Sequence, residues 1–151
     1  MTKPNFHKLI ATVFGIGYCP IAPGTAGSLA GLGLCLVLHQ NLIVYLTAFA
    51  LLFAAGVRSA GKAEEESGTR DPSFIVIDEF AGIFIVFILV PVNMATIITG
   101  FGLYRLFDIV KIPPLKLLEK PRKGWGIMLD DAGAAVYANL ILQILLYFKI
   151  I

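Results

Sequence analysis

Charge is absent from three long stretches of this chain, and that absence limits its fold more than any other feature. Residues 29–57, 80–103 and 132–148 carry no Asp, Glu, Lys or Arg. All ten carboxylates lie between Glu64 and Asp131, and nine of the twelve Lys and Arg residues lie between Arg58 and Lys123. Charge thus gathers in two stretches that read as loops, about 58–79 and 104–131, with Lys3 and Lys8 at the N-terminus. The apolar stretches are longer than strands, rich in Leu and Ala, and lack alternation, so each reads as helix. The expected fold is all-α: a compact helical bundle with apolar, membrane-associated helices or hairpins, in a single domain over residues 1–151.

Crossing the hydrocarbon core takes about 20 apolar residues. Two of the stretches are long enough but interrupted, by His39-Gln40-Asn41 and by Pro91-Val92-Asn93. Proline inside a helix removes a hydrogen bond and kinks or ends it. Each stretch is therefore a kinked span or a helical hairpin with the polar triplet at its tip. The third, 132–148, has 17 residues and is marginal for a span.

Composition narrows the function classes. The chain is 58% hydrophobic and 15% charged, with mean hydropathy +0.84. Disorder needs low hydrophobicity. Cys19 and Cys35 are the only cysteines and both sit in apolar surroundings, which argues against a disulfide scaffold. Net charge is +2 and the basic residues alternate with acids, so no nucleic-acid-binding stripe exists. The partner expected instead is a membrane.

Four motifs carry chemistry. In CPIAPGTAGSLAGL (19–32), Pro23-Gly24 marks a turn and Thr25 stands where an N-cap belongs. A helix start presents unpaired N–H groups suited to phosphate, and Gly24 and Gly27 permit close approach. A plain capped helix is the ordinary explanation. In IDEFAG (77–82), a cap explains Asp78 but not Glu79 equally well, and adjacent carboxylates also suit a hard divalent cation. In YRLFDIVK (104–111), Arg105 and Asp108 share a helix face and Lys111 follows three residues later. A surface ion pair would be the ordinary reading, but their neighbours are almost all apolar. In GWGIMLDDAG (124–133), Asp130 and Asp131 open the last apolar helix as caps or as cation ligands.

Other residues are discounted. Glu64 to Glu66 read as a solvated face, His7 and His39 as structural, and Tyr18, Tyr104 and Trp125 as interface anchors or packing. No zinc-spaced Cys/His set, phosphate-loop cysteine, Walker loop or dinucleotide fingerprint is present. Carboxylates, Arg, Lys and helix starts remain, a set that matches magnesium-assisted phosphoryl chemistry.

Together the runs APGTAGSLAGL, IDEFAG, RLFDIVKIPPL and GWGIMLDD resemble the phosphatidylglycerophosphatase A family, in its order and spacing, across about residues 9–148. One departure is Ile112 after Lys111, where the family often has proline. The resemblance implies an all-helical, magnesium-dependent lipid phosphatase of the bacterial inner membrane. It would hydrolyse phosphatidylglycerophosphate to phosphatidylglycerol and phosphate. Asp78, Glu79, Asp130 and Asp131 would be catalytic metal ligands, and Asp108 a ligand or the water-orienting base. Arg105, Lys111 and the Gly24, Thr25 and Ser28 turn would hold phosphate. Attack by water is the simplest route, with a phospho-aspartate as the other. Two further readings stand beside this one: a phosphatase for another lipid phosphate or a soluble ester, and a non-catalytic membrane helper.

This chemistry constrains topology. A straight span over 80–103 would put Glu79 and Arg105 on opposite sides of the bilayer, about 30 Å apart. The spacing therefore predicts antiparallel helices over 80–90 and 94–104, joined at Pro91–Asn93. Lys and Arg in both polar stretches place them, and the site, on the cytoplasmic side.

Overall fold

The structure, a computed structural model, describes residues 5–120 and 123–151. Lys3 of the basic N-terminus lies outside them. Seven α-helices and no strand form among the described residues: α1 (Phe6–Ala11), α2 (Pro23–Leu38), α3 (Leu42–Ser67), α4 (Ile77–Val86), α5 (Met94–Val110), α6 (Leu115–Leu118) and α7 (Trp125–Tyr147).

Both interrupted apolar stretches are hairpins. Asn41 ends the first break, its side chain accepting from the Ile43 and Val44 N–H groups at the start of α3. Asn93 ends the second in a reciprocal capping box with Thr96. These side chains take up the N–H groups that a helix start leaves free. Gly82 lies against Tyr104, and Gly100 against Val86 and Phe87, so α4 and α5 run antiparallel as the spacing predicts, although α4 ends at Val86 rather than at residue 90.

The short helix α4 is the axis of the molecule. Beyond Asp78 and Glu79 in its first turn it is apolar on all sides, and nearly every residue is buried, which is the pattern of a core helix. One face meets α2 across Gly27 and Gly31. A Cβ on Gly27 would stand 2.9 Å from the Val76 Cβ, so only glycine allows this approach. The other faces meet α3, α5 and α7. Phe84 and Phe87 are fully buried, each contributing about 1.5–3 kcal/mol of transfer free energy.

Polar residues inside the apolar stretches close the buried C-terminal end of α4. Tyr45 Oη donates to the Phe84 carbonyl at 2.5 Å, and Asn139 Nδ2 to the Val86 and Ile88 carbonyls at 2.9 and 3.0 Å. His39 Nε2 lies 3.0 Å from the Val90 carbonyl, the structural role expected of it. Such partners are needed where no water reaches the backbone.

Two helices, α3 and α7, are long and apolar enough to cross a membrane. At 26 and 23 residues they span about 39 and 34 Å. Ile43 and Leu51 of α3, and Leu140, Ile144 and Tyr147 of α7, are exposed. So much open apolar surface suits a membrane-associated chain.

Three boundary expectations are corrected. The charged stretches are not loops: α3 continues through Glu64–Glu66 to Ser67, and α5 runs to Val110. The last apolar helix begins at Trp125 rather than 132, which removes the doubt about its length. Thr25 is not an N-cap, because α2 starts two residues earlier at Pro23. Proline needs no N–H partner at a first helical position and its φ is already helical.

Candidate active site

Four chain segments distant in sequence meet at one end of α4. The first turns of α2 and α4, the last turns of α5, and the second turn of α7 contribute to it. Gly24, Ser28, Asp78, Glu79, Arg105, Asp108, Lys111, Asp130 and Asp131 all reach this region, and no side-chain hydrogen bond of Thr25 is found among the described residues.

Arg105 is the hub. Its Nη1 lies 2.6 Å from Asp108 Oδ2 on its own helix and 4.0 Å from Glu79 Oε1 on α4. The same nitrogen donates to Ser28 Oγ of α2 at 3.4 Å. Ser28 Oγ in turn donates to the Gly24 carbonyl at 2.9 Å. Gly24 leaves room for this arrangement: a Cβ there would displace the end of the Glu79 side chain and stand 3.2 Å from Arg105 Nη2.

Asp130 and Asp131 are not at the start of α7. Gly124 is its N-cap, at φ 83°, and a side chain there would strike the Val57 carbonyl. The two acids follow one turn later, so capping does not explain them. Neighbours on a helix point about 100° apart, and this pair diverges accordingly. Asp131 Oδ2 accepts from Tyr104 Oη at 2.6 Å. Asp130 Oδ2 pairs with Lys111 Nζ at 2.6 Å. Lys111 has left the α5 face: it is the left-handed C-cap residue, and it also pairs with Glu119.

The carboxylates form two overlapping groups. In the first, one oxygen each from Asp78, Glu79 and Asp131 lies within 4.8 Å of the others. In the second, Asp108, Asp130 and Asp131 do the same. Oxygens sharing a hard cation at 2.0–2.6 Å are separated by no more than about 5 Å. Four buried side-chain atoms lack a partner among the described residues: Asp78 Oδ1, Glu79 Oε2, Arg105 Nε and Asp130 Oδ1. Orphaned buried carboxylate oxygens are costly in an apo fold and become useful once a cation meets them. The donor set therefore fits a hard divalent cation.

Electrostatics point the same way. Burial pushes the Asp78 carboxyl well above the usual carboxylate range, and the charges of Glu79 and Asp131 raise it further. Burial opposes the charge on Lys111, but its bonds to Asp130 and Glu119 outweigh that and hold the ammonium above its ordinary value.

Sequence reasoning missed several residues here. Tyr104 is fully buried with its hydroxyl on Asp131, which excludes an anchoring role. Glu119 and Arg70 carried no motif. Both line a polar cavity of about 200 Å³ beside Asp130, with Glu64 and Asp71. Glu64, read as solvated, also accepts from the Asp71 N–H at 3.2 Å. The only sequence signal for them was their place in the charged stretches.

Comparison with known proteins adds to this geometry. The family model described as Phosphatidylglycerophosphatase A matches residues 9–146. A phosphatidylglycerophosphatase A of Haemophilus influenzae is 39% identical over 97% of this chain and 92% of its own. One of Escherichia coli is 33% identical over 91% of this chain and 82% of its own. A putative phosphatidylinositol-3-phosphatase of Bacteroides thetaiotaomicron is 38% identical, covering 95% and 96%. No solved structure matches the chain.

Proposed function

The chain belongs to the phosphatidylglycerophosphatase A family, and on that premise we propose that it is a magnesium-dependent phosphatase whose site faces the cytoplasmic side of the bacterial inner membrane. As a phosphoric monoester hydrolase of this family, it acts on a lipid phosphate at the membrane. The substrate proposed is phosphatidylglycerophosphate, and the products are phosphatidylglycerol and inorganic phosphate. The carrying observation is the meeting of Asp78, Glu79, Asp108, Asp130 and Asp131 around Arg105 and Lys111, with buried carboxylate oxygens left unpartnered.

Asp78, Glu79 and Asp131 would hold magnesium, with Asp130 beside them. Bound there, it supplies positive charge against the phosphate oxygens and acidifies water. Arg105 offers a planar fork to two phosphate oxygens, and Lys111 a point charge to a third. The first turn of α2 lacks a side-chain cap, and its Gly24 and Thr25 N–H groups face no intrahelical partner. Tyr104 keeps the Asp131 carboxylate turned inward. Water attacks phosphorus opposite the ester oxygen. A carboxylate of the cluster takes its proton, the ester P–O bond breaks, and the departing glycerol oxygen is protonated. The basic residues of both charged stretches favour a cytoplasmic placement.

Phosphate release from purified protein, measured over a panel of lipid phosphates with magnesium or with chelator, tests this reading. The expected result is fastest release from phosphatidylglycerophosphate and loss of release with chelator. The Bacteroides thetaiotaomicron relative's name favours a second reading, a phosphoinositide substrate. Faster release from phosphatidylinositol 3-phosphate would select it. No release from any member of the panel would leave the non-catalytic reading.

Gly24→Ala separates site geometry from stability. The new methyl meets the flexible end of Glu79, which can swing aside, and alanine favours a helix by up to about 1 kcal/mol. Thermal melting should stay level or rise while phosphate release falls about 10- to 100-fold. An unchanged rate would show that the Glu79 position is not critical.

A further inference from the structure

The acids at this site outnumber what one cation can balance. Among the described residues, the ion pairs made by Asp78, Glu79, Asp108, Asp130 and Asp131 are to Arg105 and Lys111 alone, and Lys111 is shared with Glu119. One divalent ion leaves the pocket negative before a phosphate dianion enters it. A second offsets that remaining charge. The geometry divides in the same way, into two oxygen groups that have Asp131 in common. Each group contains its own unpartnered, buried oxygen: Asp78 Oδ1 in the first and Asp130 Oδ1 in the second. Asp78 is 7% exposed and Asp130 5%. Buried carboxylate oxygens of this kind call for a partner, and the two orphans belong to different groups.

We infer that the site holds two divalent cations, one among Asp78, Glu79 and Asp131 and a second among Asp108, Asp130 and Asp131. The inference rests on the cation-dependent reading proposed above and extends it. It also explains how Arg105 and Lys111 become available. Each is tied to an acid of the second group at 2.6 Å. A cation in that group compensates Asp108 and Asp130, and frees both basic side chains to turn to the phosphate.

The test is manganese binding to the purified full chain in detergent, stripped with chelator and titrated with Mn²⁺ while free ion is followed by EPR. Two ions per chain are expected. Spin coupling between them should broaden the bound signal, since paired cations in such sites stand about 3.5–4 Å apart. Asp130→Asn and Asp78→Asn should each retain one ion with an uncoupled spectrum, and Asp131→Asn should lose at least tenfold in affinity at both positions. Lys111 keeps Glu119 as partner in Asp130→Asn, so that variant should fold. A single ion in the parent chain overturns the inference and leaves the phosphatase reading standing if activity needs that ion. Two ions still bound by Asp130→Asn would place the second elsewhere and also overturn it. Failure of the parent chain to bind any ion would remove both.

Discussion

Asp131→Asn should fold, melt no lower than the parent chain in the presence of chelator, and release phosphate on the order of 1,000-fold more slowly, ~4 kcal/mol of transition-state stabilisation. The substitution is nearly isosteric. Its amide oxygen can still accept from the Tyr104 hydroxyl, which lies 2.6 Å from Asp131 Oδ2. It also removes one negative charge from a crowded set of buried acids, so the apo fold is relieved rather than strained. What it removes is the carboxylate common to both oxygen groups. Magnesium should therefore raise the melting temperature of the parent chain and not that of the variant, because a ligand stabilises only the state that binds it. A parental rate, or an undiminished rise in melting temperature with magnesium, would remove Asp131 from the centre.

The motif acids and Arg105 of the candidate site were legible in the sequence because charge is expensive in an apolar chain. An Asp, Glu or Arg embedded among Leu, Ile and Phe needs a partner or a task. Both hairpin tips were legible for a related reason: Asn41 and Asn93 start α3 and α5 as N-caps, and Pro91 lies in the break between α4 and α5. Helix limits were less so. Apolarity reports which solvent a residue meets, whereas helix limits follow backbone hydrogen bonding. That is why α3 extends through Glu64–Glu66, and why α7 starts at the glycine that fits against α3 rather than at the acids. The meeting of Glu79 and Arg105 followed from the motifs, but the individual pairings of uncharged side chains were not legible. Nothing local to Tyr104 announces Asp131, 27 positions away, and nothing local to Asn139 announces the Val86 carbonyl, 53 away. Those pairings exist only once α4 is enclosed by its neighbours.

Arg105 is where fold and chemistry are hardest to separate, and two substitutions separate them. It connects Ser28 of α2, Glu79 of α4 and Asp108 of α5. Arg105→Ala leaves Asp108 and Glu79 without their cation in a mostly buried setting. The expected cost is about 3 kcal/mol of stability, at the low end for breaking a buried pair, together with loss of phosphate release. That result alone is ambiguous, since a loosened helix junction would also be inactive. Arg105→Lys resolves it. The ammonium keeps a positive charge beside Asp108, so the unfolding midpoint in denaturant should return to within about 1 kcal/mol of the parent. A single ammonium cannot bridge two phosphate oxygens while still reaching three helices. The rate should thus stay about 100-fold low, in kcat more than in KM, because the fork matters most as charge builds on the transferring group. Recovery of rate and stability together would mean that position 105 supplies charge alone, and the phosphate would then owe its orientation to Lys111 and the first turn of α2.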